Sequence, residues 1–129
     1  MKHYVVNETE GFKGRLPVPG GGGIFNILID EEISGAKHFS LLINEIAPGY
    51  QGKEHSHDVE HCWYILSGRG VIRIAAETYD IKPGDAVFAP AGMCHSVECT
   101  GNESLRYVVV YAPSGPEKEL RSKTGFAKE

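Results

Sequence analysis

The apolar residues of this chain fall in short runs that stop at Gly- or Pro-containing turns. Their β-branched and aromatic content predicts strands over 24–29, 39–46, 62–66, 71–75, 77–81, 95–99 and 105–111, with a short one at 3–6. Period two then assigns faces. If His61 points inward, so do Trp63 and Ile65, while Cys62 and Tyr64 point away. In 71–75, Ile72 and Ile74 take the buried face and Arg73 the outer one. His95, Val97 and Cys99 share a face, with Cys94 opposite. The tight turn Ser67–Gly70 makes 71–75 the expected hairpin partner of 62–66. Residues 30–35 read as a turn and 11–23 as loop.

No stretch shows helical periodicity over three turns, and turn signals recur roughly every eight to twelve residues, which indicates an all-β sandwich or barrel. With 129 residues the chain suits one domain with a real core. We divide it into an N-terminal arm and Gly-rich linker (1–23), a β-barrel domain (24–113) and a polar tail (114–129), the tail a loose arm or short helix without chemistry of its own. The run Gly20–Gly23 is not a phosphate cradle. A strand follows it rather than a helix, and no Lys, Ser or Thr closes it.

Charge and cysteine content narrow the functional classes. A formal net charge of −4 argues against a nucleic-acid partner. No stretch approaches the roughly 20 apolar residues that span a bilayer, and the first residues hold no secretory apolar run. Three cysteines without metal-finger spacing argue against a disulfide framework. Cytoplasm is the expected compartment.

The chemistry concentrates in two windows, GYQGKEHSHDVEHCWYILSGRG (49–70) and GDAVFAPAGMCHSVEC (84–99), which hold four of the six histidines. His55 and His57, two apart, project from one face of an extended strand. His61 follows beyond the polar step Asp58-Val59-Glu60, and His95 lies just after the turn Pro90-Ala91-Gly92. Neutral imidazole is the commonest protein ligand for a transition metal, and we read the four as one metal site assembled from two pieces of β structure. Glu60 is the rival ligand to His61, but 55, 57 and 61 share a parity that 60 breaks. Trp63 is a candidate wall of the pocket and Cys99 a candidate contact to substrate. Each has an alternative as a plain core residue, Cys99 as an inert buried thiol.

These windows resemble the two motifs of the cupin superfamily, G-x5-H-x-H-x3/4-E-x6-G and G-x5-P-x-G-x2-H-x3-N. Gly49, His55, His57 and Gly68 fall on the first at its spacing, and Gly84, Pro90, Gly92 and His95 on the second. His61 stands where the first pattern has Glu, and Cys99 where the second has Asn. The resemblance implies a small cupin jelly roll of a four-histidine subtype, with the metal near one mouth of the barrel. It also implies a homodimer, formed by strand exchange or sheet packing. Four neutral imidazoles leave a divalent cation at its full charge, which favours Lewis-acid behaviour and disfavours a trivalent state.

The expected cofactor is one divalent transition metal, drawn from iron, manganese, nickel, copper and zinc. Positions left open on it suit a small oxygen-rich molecule bound directly. The favoured expectation is a dioxygenase-type enzyme that cleaves such a molecule. The alternatives are a non-redox isomerase or ring-opening enzyme on a sugar acid, with Glu60 or a pocket water as base, and a non-catalytic metal- or sugar-binding module.

Overall fold

Alternation of inward and outward side chains builds the molecule, and the computed structural model describes residues 3–18 and 20–124. Among these, the strands are β1 (Phe12–Arg15), β2 (Gly23–Ile29), β3 (Ser40–Ile46), β4 (Glu60–Ser67), β5 (Gly70–Ile74), β6 (Glu77–Ile81), β7 (Ala86–Ala89), β8 (His95–Cys99) and β9 (Leu105–Ala112). Two helices join them, α1 (Glu31–Ser34) and α2 (Pro116–Thr124). The strands form antiparallel sheets of order β1-β2-β3-β9-β4-β7 and β6-β5-β8, the two faces of an all-β jelly roll. No helix among the described residues is long and apolar enough to cross a membrane.

Three long strands set the interior. β9 lies between β3 and β4, and the registers align their inward side chains in rows. Ser40, Tyr111 and His61 make one row, Leu42, Val109 and Trp63 the next, and Asn44, Tyr107 and Ile65 the third. All nine are buried. Phe25, Ile27, Ile46, Ile72 and Leu105 join the apolar members of these rows in one buried cluster. The face assignments read from the sequence hold for Trp63, Ile65 and Ile72, which are buried, and for Cys62, Tyr64, Arg73 and Cys94, which are exposed, while Ile74 is only half-buried.

Four local expectations are corrected. Residues 71–75 do not return on 62–66, because β9 and β7 already occupy both edges of β4. Instead a bulge between Ile65 and Ser67, followed by Gly68 at φ 84°, turns the chain into the second sheet. A Cβ at Gly68 would lie 2.3 Å from the Ser104 carbonyl oxygen. The 11–23 loop contains β1, which pairs with β2 and stacks Phe12 on Phe25. The 30–35 turn is a helical turn, with Asp30 Oδ1 accepting from Ile33 N–H at 2.9 Å as N-cap. Residues 3–6 form no strand, and Tyr4 and Val5 stand in solvent.

The tail is held firmly along 116–124, and residues 125–129 lie outside the described chain, as does Pro19 of the linker. Glu117 is fully buried, its Oε1 accepting from Ser40 Oγ (2.9 Å) and Gly115 N–H (2.8 Å). Arg121 grips Asp30 with both Nε (2.6 Å) and a terminal nitrogen (3.2 Å) and lies 4.5 Å over the Phe12 ring. These contacts fix α2 across one end of the barrel.

The tight packing around β5 is testable at Gly70, where a Cβ would sit 2.3 Å from the Glu98 carbonyl oxygen of neighbouring β8 and 2.8 Å from Leu105 of the other sheet. Gly70→Ala is expected to cost about 2 kcal/mol or more in urea unfolding, as forced overpacking does. Gly115→Ala, which meets open space, should stay within about 0.5 kcal/mol.

Candidate metal centre

The histidines meet because backbone pairing brings them together. His55 and His95 form an isolated antiparallel bridge, with His55 N–H donating to His95 O (3.0 Å) and His95 N–H to His55 O (2.8 Å). Pro90–Gly92 makes that bridge possible by carrying the chain from β7 in one sheet to β8 in the other. Gly92, at φ 78°, donates its N–H to His57 O at 2.6 Å, which ties the second window to the first. His61 enters from β4, beside Tyr111 of β9.

The rings converge. The ligand nitrogens of His55, His57 and His95 all lie within 4.8 Å of one another. The His61 ring centre is 4.3 Å from that of His95 and 5.3 Å from that of His57. His55 Nδ1 lies 2.8 Å from Lys53 O, and His95 Nδ1 3.1 Å from Met93 O. A carbonyl only accepts, so each Nδ1 carries the proton and each Nε2 presents a lone pair. Those two Nε2 atoms are 3.1 Å apart. Two lone pairs at that distance repel unless something positive lies between them. Ligands on a metal at about 2.1 Å and right angles stand roughly 3 Å apart, so the separation fits a shared cation. Both ring nitrogens of His61 are also buried without a hydrogen-bond partner. The residues fit a divalent transition metal held by His55, His57 and His95; His61 stands beside them but outside that close group.

Electrostatics keep these imidazoles in the ligand form. Burial lowers the His61 pKa from 6.5 to about 3, aided by the neighbouring rings of His95, His57 and His55. Burial and then His55 lower His95 to about 4. His57 is lowered too, by burial and by His55. At neutral pH all three are uncharged.

The histidines line a cavity of about 340 Å³ whose walls include Trp63, Tyr50, Tyr107, Tyr111, Val97 and Leu120. Trp63 stands in the wall with its ring 4.4 Å from that of His61. Two sequence-based assignments are corrected. Glu60 is exposed and outside the cavity lining, because strand alternation turns it outward when His61 turns in. Cys99 is buried on the inner face but does not line the cavity, and its thiol donates to Glu103 O at 3.3 Å in the following turn. Sequence reading missed three residues of the cavity lining, the exposed Glu119 and half-buried Leu120 of α2 and the buried Asn44 of β3. A carboxylate 58 positions along the chain from His61 leaves no local signal, and the apolar run Leu41-Leu42-Ile43 blurs the alternation that would mark Asn44 as inward.

A family model described as "Cupin domain" matches residues 42–111. The tetracenomycin polyketide synthase protein TcmJ of Streptomyces glaucescens is 31% identical over 100 residues, covering 77% of this chain and 67% of that protein. The oxalate-binding protein of Thermotoga maritima is 37% identical over 67 residues, 51% of this chain and 55% of that protein, so this match spans little more than half of that relative. The solved structure of the polyketide cyclase RemF from Streptomyces resistomycificus superposes with a TM-score of 0.76 at 28% identity, covering 90% of this chain and 82% of that one.

The depressed histidines set a pH dependence with a definite sign. Above pH 6.5 they are neutral folded or unfolded and contribute no slope. As pH falls from 6.5 toward 3 to 4, the unfolded chain takes up protons that folded His61 and His95 refuse, so the metal-free protein loses stability. Thermal unfolding of metal-free protein should therefore show Tm falling across that window, with a shallower slope in His61→Asn. Equal slopes would contradict the burial account. His57→Ala should abolish stoichiometric metal binding by elemental analysis, whereas His61→Ala should weaken it by about tenfold or more.

Proposed function

The chain belongs to the cupin family, and from that premise we propose that it is a metal-dependent enzyme performing non-redox chemistry on a flat, oxygen-rich small molecule. Enolisation with carbon–carbon bond formation or isomerisation is the reaction class. One observation carries this reading: a single cavity joins a cluster of neutral imidazoles to aromatic walls and a carboxylate. Relatives named for polyketide synthesis and cyclisation support it. We assign the cation to all four imidazoles, His55, His57, His61 and His95.

A bound divalent cation supplies Lewis-acid polarisation of a chelated carbonyl or enol oxygen. The chain's own residues do the rest. Glu119 is the carboxylate in the cavity lining, and we assign it the proton taken from carbon next to the polarised carbonyl, the role Glu60 was expected to play. Burial pushes Tyr50 up to about 12 and raises Tyr107 and Tyr111 as well. These phenols stay protonated at neutral pH and serve as hydrogen-bond donors rather than bases. Trp63 and the tyrosine rings present flat faces to a planar substrate and exclude water.

Oxidative cleavage of the same molecule is the second reading. The three closely grouped imidazoles support it, as a set able to hold a redox-active metal. A binding module without turnover stands behind both. The outer face of β4 and β7 exposes Tyr64 and Phe88 beside Cys62, an apolar patch that supports a homodimer by sheet packing. Three free cysteines, Cys62 and Cys94 exposed, support a reducing compartment such as the cytoplasm. Arm 1–23, barrel 24–113 and tail 114–129 act as one unit in this reading, since β1 extends the main sheet and α2 closes the cavity.

The test is turnover of linear poly-β-ketone and hydroxyaryl-ketone substrates by metal-loaded protein under strict anaerobiosis, followed by absorbance and mass. Turnover without oxygen is expected, and oxygen uptake matching product would replace it with oxidative cleavage. Glu119→Gln should lower kcat by about 100-fold with metal content unchanged. Glu60→Gln should leave kcat within about twofold.

A further inference from the structure

We propose that the end of the cavity remote from the histidines is a built recognition site for a hydroxyl group, centred on Asn44 Oδ1. Asn44 is 6% exposed, lines the same cavity as the histidines, and its Oδ1 is buried without a hydrogen-bond partner among the described residues. Tyr107 stands directly across the ladder, where burial raises the pKa of its phenol and the Asn44 amide works the other way, which puts the N–H₂ end of that amide toward the ring. Tyr50 lies in the same wall, packed under Gly23. A buried acceptor is costly to leave unpaired. A hydroxyl, which both donates and accepts, satisfies Oδ1 with its proton and a phenol with its oxygen. The wall holds no carboxylate at this end, so an ammonium group is disfavoured.

Register gives the site its reach. Tyr107 lies four residues along β9 from Tyr111, the partner of His61. At about 3.3 Å per residue the two ends are roughly 13 Å apart along the strand. The row between them is apolar, with Trp63 in the cavity wall. A ligand that chelates at the histidines and reaches Asn44 is therefore elongated, carries oxygen at both ends and is hydrophobic in the middle. Two fused aromatic rings with a hydroxyl on the far ring meet that description. This inference rests on the metal reading above for the chelating end.

The test is isothermal titration calorimetry of the Zn(II)-loaded full chain with three probes sharing one chelating end: 1-hydroxy-2-naphthoate, its 6-hydroxy derivative and its 6-methoxy derivative. The wild type is expected to bind the 6-hydroxy compound about tenfold tighter than the other two, as expected where a buried acceptor gains its donor. Asn44→Leu should erase that preference, and Asn44→Asp, which keeps an acceptor in place, should retain it. Circular dichroism melting checks that each variant folds, and the methoxy arm decides the matter in the wild type alone. Equal binding of the three probes, or a preference unchanged in Asn44→Leu, overturns the site. Metal-dependent binding without the preference leaves the metal reading standing and removes only this inference. A hydroxyl preference that persists in metal-free His57→Ala supports the site and removes chelation. Failure of all three probes to bind overturns both.

Discussion

Two imidazole nitrogens facing each other at 3.1 Å are the constraint on which the site depends. His55 and His95 are locked there by their own backbone bridge, and each turns its protonated nitrogen to a carbonyl two residues earlier. Neither ring can swing away without giving up a hydrogen bond. The arrangement therefore holds unfavourable proximity in place until a cation resolves it, which is how a pre-organised ligand set differs from a flexible histidine-rich segment. His57 lies two residues past the bridge, tied to Gly92 through its carbonyl, and His61 enters separately on β4 beyond the bend at Asp58-Val59.

The barrel serves this cluster through three aligned rows on β3, β9 and β4. The row at the histidine end is polar or ionisable (Ser40, Tyr111, His61), the middle row apolar, and the far row polar again at Asn44 and Tyr107. A β-sheet can grade its interior in this way because period two keeps alternate residues on one face over the whole strand. Function is then a matter of which side chains occupy the inward positions. α2 completes the enclosure, and its buried Glu117 and the Arg121–Asp30 pair explain how a polar tail stays packed against the barrel.

Much of this was legible in the sequence, for a local reason. Strand faces follow from alternation, so the burial of His61, Trp63 and Ile65 and the exposure of Glu60 are properties of a six-residue stretch. The convergence of His95 was readable through Pro90 and Gly92, which announce a turn. What escaped depends on pairing between distant segments. Nothing near Gly68 reveals that β4 has both edges filled, so a hairpin that looks natural in sequence is displaced into the second sheet. Cys99 has the right parity but lies past the cavity's edge, and parity carries no information on depth. Glu119 reaches the cavity only because Arg121 and Glu117 pin α2 to residues some 77 to 91 positions earlier.

The central claim is that histidine nitrogens gather around one cation inside the barrel. X-ray absorption at the edge of the metal that copurifies with untagged protein tests it most directly. The account predicts about one metal per chain, with a first shell of three to four imidazole nitrogens at about 2.1 Å, completed by oxygen. A thiolate in the first shell, or a shell of water and carboxylate with fewer than two imidazoles, would contradict it.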